Sequence, residues 1–180
     1  MSRIDDLRAE LCPNSVEFKT IASCVGRPRG MRWVDHPADE YQYIDLTSVD
    51  RVTHAIVETS TIASDDAPSR AQQIVREGDV LFGTTRPMLK RYAVISAEYD
   101  GQICSTGFCV LRPDNNVVLT NFLFHLLGTA EFYEYVAANQ RGASYPAIPD
   151  NLVKQYRIPV PLFEVQHEIV KVLDSFTGSR

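Results

Sequence analysis

An α+β fold, rich in β-strands and carrying a few helices, follows from two observations on the sequence. Between Val16 and Leu111 the apolar residues alternate with polar ones or stand in short runs, and turn residues separate these segments. From Thr120 onward the spacing of the apolar residues changes to three and four, the period of a helix face. A third observation gives the arrangement its centre. In Gly78 to Tyr92, GDVLFGTTRPMLKRY, the apolar run Asp79-Val80-Leu81-Phe82 leads into a loop broken by Gly83, two threonines and Pro87. Such a run suits a core strand, and Arg86, Lys90 and Arg91 then hang from a rigid base. A solvated loop with ordinary surface charge is the plainer reading of the same residues.

With 44% hydrophobic residues, the 180-residue chain can bury the core of one domain and carry a terminal appendage. Its 18 Lys+Arg stand against 23 Asp+Glu, a formal charge of -5. Any contact with nucleic acid must therefore come from local patches. Charge is segregated along the chain: Arg3 to Glu17 and Asp35 to Asp50 are acid-rich, whereas Lys19, Arg27, Arg29 and Arg32 have no acid among them. Cys12, Cys24, Cys104 and Cys109 lack the spacing of a zinc knuckle, and the start SRIDDLRAE is no signal peptide. Reduced thiols and a cytoplasmic location are expected. No apolar run approaches the ~20 residues of a membrane span, so no membrane contact is expected.

Taken in order, Ile4, Leu7 and Leu11 predict a short amphipathic helix stopped at Cys12-Pro13-Asn14. Val16 to Ile21 alternates as a half-buried strand does. Val25 to Trp33 is a loop holding Arg27, Arg29 and Arg32 beside the only tryptophan, which either stacks on bases or folds back on the core. Tyr41 to Val49 and Thr53 to Thr59 read as two strands of a hairpin turned at Asp50-Arg51. Ser64 to Ser69 is a loop, and Arg70 to Val75 runs back toward Gly78. Tyr92 to Ser96 and Gln102 to Leu111 bracket a turn at Tyr99-Asp100-Gly101, giving strand, turn, strand, with Cys104 to Gly107 suited to a bulge or close backbone approach. Thr120 is a natural N-cap for a helical stretch reaching Ala137, which Gly128-Thr129 can divide. Gln140 to Asp150 is a loop with two prolines, Gln155 to Pro161 an extended exit, and a last helix begins near Glu164. The pairings read as mainly antiparallel.

The common catalytic signatures do not occur. His36, His54, His125 and His167 have no metal-ligand spacing, and neither Gly-x-Ser-x-Gly nor a phosphate-cradling Gly-x-x-x-x-Gly-Lys loop is found. Glu17-Phe18-Lys19 matches half of a metal-nuclease motif, but Pro113-Asp114 and Pro149-Asp150 lie downstream in the wrong order. The Asn/Asp-Pro-Pro-aromatic tetrad of an amino-methyltransferase is missing too. No catalytic residue, metal or cofactor is expected.

Six stretches in the right order resemble one family, the DNA-specificity (S) subunit of type I restriction-modification systems. They are LCPNSVEFKTI, Tyr43-Ile44-Asp45, Ser69-Arg70-Ala71, GDVLFGTTRPMLKRYAVI, ICSTGFCVLRP and GASYPAIPDNLVKQYRIPVPLFEVQHEIVKVLDSF. The last is the most specific, its Ile158 to Val170 resembling the block that closes a target recognition domain and opens a conserved spacer helix. The resemblance implies a target recognition domain over residues 1–161 and the start of a coiled-coil spacer helix over residues 162–180. It also implies a non-catalytic reader of one half of a split target in double-stranded DNA, acting with a modification (adenine methyltransferase) subunit and a restriction subunit. A half-subunit serving mainly as a protein-interaction module, or a stand-alone DNA-acting enzyme, are the alternatives. The single recognition domain departs from the family's pair, and Gly178-Ser179-Arg180 does not resemble a continuing helix, which favours a truncated chain over a natural half-subunit.

Within that resemblance the residues expected to meet DNA are Arg86, Lys90 and Arg91 first, then Arg70, Ser105, Thr106, Tyr145, Arg27 and Arg29. Each has a plainer reading: Arg70 in a salt bridge with Asp79, Ser105 and Thr106 in a strand bulge, Tyr145 buried under its proline turn. Val165, Ile169, Val172 and Phe176 form a stripe expected to pack on a partner helix, as a homodimer or with a second half-subunit, and otherwise to stand exposed.

Overall fold

The two periodicities of the sequence become separate layers in the computed structural model, which describes residues 3–11 and 16–177. The elements of the first half are α1 (Arg3–Leu11), β1 (Phe18–Thr20), α2 (Ile21–Cys24), β2 (Val25–Gly26), β3 (Tyr41–Ile44), β4 (Ser60–Ile62), β5 (Ala71–Ile74) and β6 (Val80–Gly83). Those of the second are β7 (Tyr92–Val94), β8 (Ile103–Ser105), β9 (Phe108–Pro113), α3 (Thr120–Leu126), α4 (Ala130–Asn139), α5 (Asp150–Gln155), β10 (Arg157–Pro159) and α6 (Phe163–Thr177). The predicted helix stop at Cys12-Pro13-Asn14 and the closing Gly178-Ser179-Arg180 lie outside the described residues.

One sheet has the order β2-β9-β6-β7 and is antiparallel throughout; the other has the order β4-β3-β8-β5. β1 and β10 form a separate antiparallel ribbon that ties the start of the domain to its exit. Helices cover one face of the first sheet, where Val80, Phe82, Cys109 and Leu111 meet Phe122, Leu123, Phe132 and Val136. Its other face packs on the second sheet through Leu81, Ala93, Phe108 and Val110. Beyond the second sheet a small cluster of Met31, Tyr43, Ile62, Ala71 and Ile103 receives Trp33, whose indole N–H donates to the Ala71 carbonyl at 2.9 Å. The tryptophan is therefore folded back on the protein.

Several expectations change. The hairpin partner of β3 is β4, not Thr53 to Thr59. The Asp50 carboxylate accepts the Val52 and Thr53 N–H groups at 2.9 and 2.7 Å, winding the chain into a turn and leaving only an isolated Val49–Ile56 bridge. These backbone bonds also hold the Asp50 carboxyl below the usual carboxylate range. β7 and β8 belong to different sheets, and β3 pairs with β8 in parallel, so the turn at Gly101 joins layers rather than partners. α5 fills the interval between the proline loop and the extended exit, which holds β10 as expected. Thr120 does not cap α3; its hydroxyl donates to the Gly78 carbonyl at 2.9 Å. The division at Gly128-Thr129 does occur, with Thr129 capping α4.

The helix stripe is corrected as well. Ile169 is fully buried and Val165 and Val172 pack on the same core, because α6 lies against α1 and α3. Only Phe176 is exposed, with the Arg3 guanidinium over its ring. Ile169 is thus spent within the chain and is unavailable to a partner helix.

One buried charge organises the turn into β6. Asp79, 1% exposed, accepts both Arg112 Nε and Nη2 at 2.9 and 2.8 Å and the Arg76 N–H at 2.8 Å. The same contact holds the Arg112 guanidinium above its ordinary pKa. Replacing Arg112 by leucine leaves this carboxylate without its counter-ion, and we expect a loss of about 3 kcal/mol of unfolding free energy. Urea melts test it; a loss under about 1 kcal/mol, the size for an exposed pair, would show that solvent compensates Asp79.

Candidate nucleic-acid interface

Strand β6 ends at a closely packed glycine. A Cβ on Gly83 would lie 3.0 Å from the Arg91 carbonyl oxygen and 3.2 Å from Leu46 Cδ2. The following residues are tied down one by one. Thr84 donates its N–H and its hydroxyl to the Gly107 carbonyl at 2.8 and 3.0 Å, Thr85 bridges Ala147, and the Arg86 N–H donates to the Pro146 carbonyl at 2.7 Å. Residues Pro87–Leu89 form a 3-10 turn between Arg86 (φ 48°) and Lys90 (φ 58°), both left-handed. Holding a non-glycine residue there costs on the order of 1 kcal/mol, and such strain gathers at binding sites. The turn is closed from outside by Arg51, whose Nε donates to the Leu89 carbonyl at 2.9 Å.

The three leading cations separate at once. Arg91 Nη1 donates to the carbonyls of Leu46 and Val49, both at 3.0 Å, so this guanidinium is a structural clamp and leaves the set of DNA-reading candidates. Lys90 is exposed, with Nζ 4.8 Å from the centroid of the Tyr133 ring. Arg86 is exposed and its guanidinium lies over the Tyr145 ring, 4.9 Å from the centroid. Tyr145 is 72% exposed, not buried under its prolines.

Among the remaining candidates, Ser105 is fully buried and its hydroxyl oxygen accepts the Gly107 N–H at 3.0 Å, placing it beyond the reach of a phosphate. Its neighbour Thr106 is exposed at the two-residue link between β8 and β9, and its N–H donates to the Arg70 carbonyl at 2.9 Å. Arg70 is exposed; Asp79 is taken by Arg112, so the Arg70–Asp79 bridge does not form. Arg27 and Arg29 are exposed on a segment that runs along β5, where Met31 N–H donates to the Gln72 carbonyl at 2.8 Å and Ile74 N–H to the Arg29 carbonyl at 3.1 Å. Backbone bonds thus link Arg70 to Thr106, the Thr106–Gly107 turn to Thr84, and Arg86 to the Tyr145 loop. Met88 is 41% exposed at the tip of the 3-10 turn, and Arg51 is the residue that reasoning from sequence missed. Asp50-Arg51 was legible as a turn, but nothing in the sequence aims its cation at Leu89.

Burial pushes the Tyr92 phenol and the Cys109 thiol up to about 12, and raises the Cys104 thiol and the Tyr133 phenol well above their ordinary values. Among the described residues no group of three or more His, Cys, Asp and Glu is placed to hold a metal ion, and no helix is long and apolar enough to cross a membrane. A broad cleft of about 1110 Å³ lies elsewhere, between the 52–56 turn, α3 and α6. Its histidines are engaged in packing: His54 stacks on Tyr92 at a centroid separation of 3.8 Å, and His125 Nε2 lies 2.8 Å from Asp174 Oδ1.

The chain is similar to several known proteins. The family model of the type I restriction modification DNA specificity domain matches residues 39–179. The type I restriction enzyme HindI specificity subunit of Haemophilus influenzae is 33% identical over 110 residues, covering 60% of this chain and 24% of that protein. The EcoDI specificity subunit of Escherichia coli is 26% identical over 107 residues, covering 59% and 23%. Among solved structures, the HsdS subunit from Thermoanaerobacter tengcongensis superposes with a TM-score of 0.82 at 36% identity, over 91% of this chain and 42% of that one. A chain from a type I R-M system, solved in work on complex assembly and conformational transition, superposes at 0.84 with 35% identity, over 91% and 43%. The chain spans about a quarter of the length of the curated relatives it matches.

Removing the Arg91 side chain takes the guanidinium from the Val49 carbonyl and one of two donors from the Leu46 carbonyl, which keeps the Val49 N–H at 3.2 Å. We expect Arg91→Ala to lower stability by about 2 kcal/mol in urea melts, whereas Lys90→Ala leaves the midpoint unchanged. Equal effects of the two would remove the distinction between clamp and free cation.

Proposed function

Because the chain belongs to the family of type I restriction modification DNA specificity domains, we propose that it recognises one half of a bipartite target in double-stranded DNA. In this reading it has no catalytic activity of its own and directs a modification subunit and a restriction subunit to the site. Residues 1–161 act as the target recognition domain and residues 162–180 begin the spacer helix. The observation that carries the proposal is the single tract of exposed Arg70, Thr106, Arg86, Lys90 and Tyr145, mounted on a loop tied to the core, in a chain whose net charge is -5. Arg27 and Arg29 extend it along β5.

The division of labour is physical. Phosphate contacts by Lys and Arg set register and affinity without regard to sequence, and base-edge contacts supply discrimination. With the bulk charge negative, non-specific attraction is weak, so contact requires the tract itself to face the duplex. The protein's contribution to the complex is then geometric. It holds donors where a groove will be, and chemistry falls to the partner subunits.

Binding of the 180-residue chain to random duplex, followed by anisotropy over a salt series, tests the proposal. We expect log K to fall linearly with log salt, and the triple variant Arg70→Ala, Arg86→Ala, Lys90→Ala to reduce the slope by about 2, near 0.9 for each of the phosphates that Arg70 and Lys90 no longer neutralise. A slope that the triple variant leaves unchanged would place DNA elsewhere on the molecule. Binding to the modification subunit with no salt-dependent binding to duplex would identify a protein-interaction module instead.

A further inference from the structure

We propose that Arg86 reads a guanine edge in the major groove through its guanidinium fork, and that Tyr145 is the positioning residue that holds the fork out. The inference rests on the DNA-recognition reading above and goes past it by separating base reading from phosphate binding among the cations of one loop.

The separation follows from how each cation is engaged. Arg91 spends its Nη1 on two carbonyls, and Arg51 spends its Nε on the Leu89 carbonyl. Lys90 is a point charge on a flexible stem, suited to a phosphate and unable to form a planar two-pronged contact. Arg86, alone in the 84–91 loop, adds a free two-pronged guanidinium to three properties that it shares with Lys90. Its side chain is exposed, it rests over an aromatic ring at 4.9 Å, and among the described residues no acceptor takes a hydrogen bond from its guanidinium. A cation seated over a ring face is held by the ring's quadrupole and not by its own N–H groups, so those donors stay available. Two parallel donors match guanine O6 and N7, the commonest specific contact in the major groove.

Preorganisation strengthens the assignment. The Arg86 backbone is fixed on both sides, its N–H on the Pro146 carbonyl at 2.7 Å and its own carbonyl accepting the Leu89 N–H at 3.0 Å, with buried Pro87 next. The Tyr145 ring is carried by an equally fixed loop. Arg141 and Ala147 exchange two backbone hydrogen bonds, both 2.8 Å, and Gly142 (φ +101°) lies so close that a Cβ there would be 2.9 Å from the Tyr145 carbonyl oxygen. An arginine confined by its backbone and by a ring loses less conformational freedom on binding than one that is free, which favours discrimination at the base it meets. Arg70 is also exposed, but among the described residues no aromatic ring holds its guanidinium.

Selection of bound duplexes from a random library, with the 180-residue chain at low salt, tests this through four variants. The unsubstituted chain is expected to enrich a short half-site containing a guanine. Arg86→Lys keeps the charge and the backbone requirement but not the fork. It is expected to lose about tenfold in preference at that one guanine, with other positions and the salt slope unchanged. Tyr145→Ala is expected to relax the same position, Tyr145→Phe to restore it, and Lys90→Ala to lower affinity evenly across sequences. Thermal melts alongside confirm that each variant folds. A retained guanine preference in Arg86→Lys, an enriched half-site without guanine on either strand, or a Tyr145→Phe chain that behaves like Tyr145→Ala would overturn the assignment while leaving DNA recognition standing. Salt-dependent binding with no enriched sequence from the unsubstituted chain would instead overturn sequence recognition itself, and this assignment with it.

Discussion

Strand β6 is buried on both faces, and the exposed loop that follows it depends on that double burial. Val80 and Phe82 enter the core beneath the helices, whereas Leu81 enters the core between the sheets. Fully burying a side chain of this kind contributes about 1.5–3 kcal/mol. Three of them therefore outweigh the cost of holding Arg86 and Lys90 left-handed, roughly 1–2 kcal/mol each. This order of magnitude explains how a strained turn persists in the native state: the scaffold on one side, and the Thr84, Arg86 and Arg91 bonds on the other, leave the loop no relaxed alternative. Gly83 is the point of transfer, since any side chain there would push the Arg91 carbonyl away.

Charge acts locally in this protein. Arg112 and Arg91 are turned inward to satisfy a carboxylate and two carbonyls, and Arg32 pairs with Asp35 at 3.4 Å. What faces outward is a subset selected by the fold, so the negative total of the sequence says little about the tract around Arg86. A weak general attraction for nucleic acid is compatible with discrimination, because it leaves a larger share of the binding energy to contacts that depend on sequence.

The outline of the fold was legible in the sequence wherever burial alone determines pattern. The run Val80-Leu81-Phe82 showed a doubly buried strand, the three-and-four spacing after Thr120 showed helices, and the Gly128-Thr129 break fell where α3 gives way to α4. Partnership was not legible. Periodicity reports that a face is covered but not by what, so β7 and β8 looked like neighbours, and the Val165, Ile169 and Val172 stripe looked like a seam for another helix, although α1 and α3 cover it. The site divided in the same way. Arg86, Lys90, Arg70, Thr106 and Tyr145 stand exposed as expected. Arg91 and Ser105 have the same residue types but donate or accept within the protein, and no pattern of letters separates a guanidinium that meets a carbonyl from one that meets water.

The block from Ile158 to Val170, which carried the family resemblance most strongly, has a physical explanation in Gln166. This side chain is fully buried, donating from Nε2 to the carbonyls of Pro161 and Val117 at 2.9 and 3.1 Å and accepting the Leu119 N–H at Oε1 at 2.9 Å. A buried amide satisfied at three points fixes rotation as well as position, because its bonds have direction where the packing of Ile169 alone does not. The start of α6 is thereby locked to the segment leading into α3, and α3 in turn packs on β6 and β7. The same β6 carries the 84–91 loop. Helix and loop are consequently joined by one continuous run of packed elements, from α6 through α3 to β6.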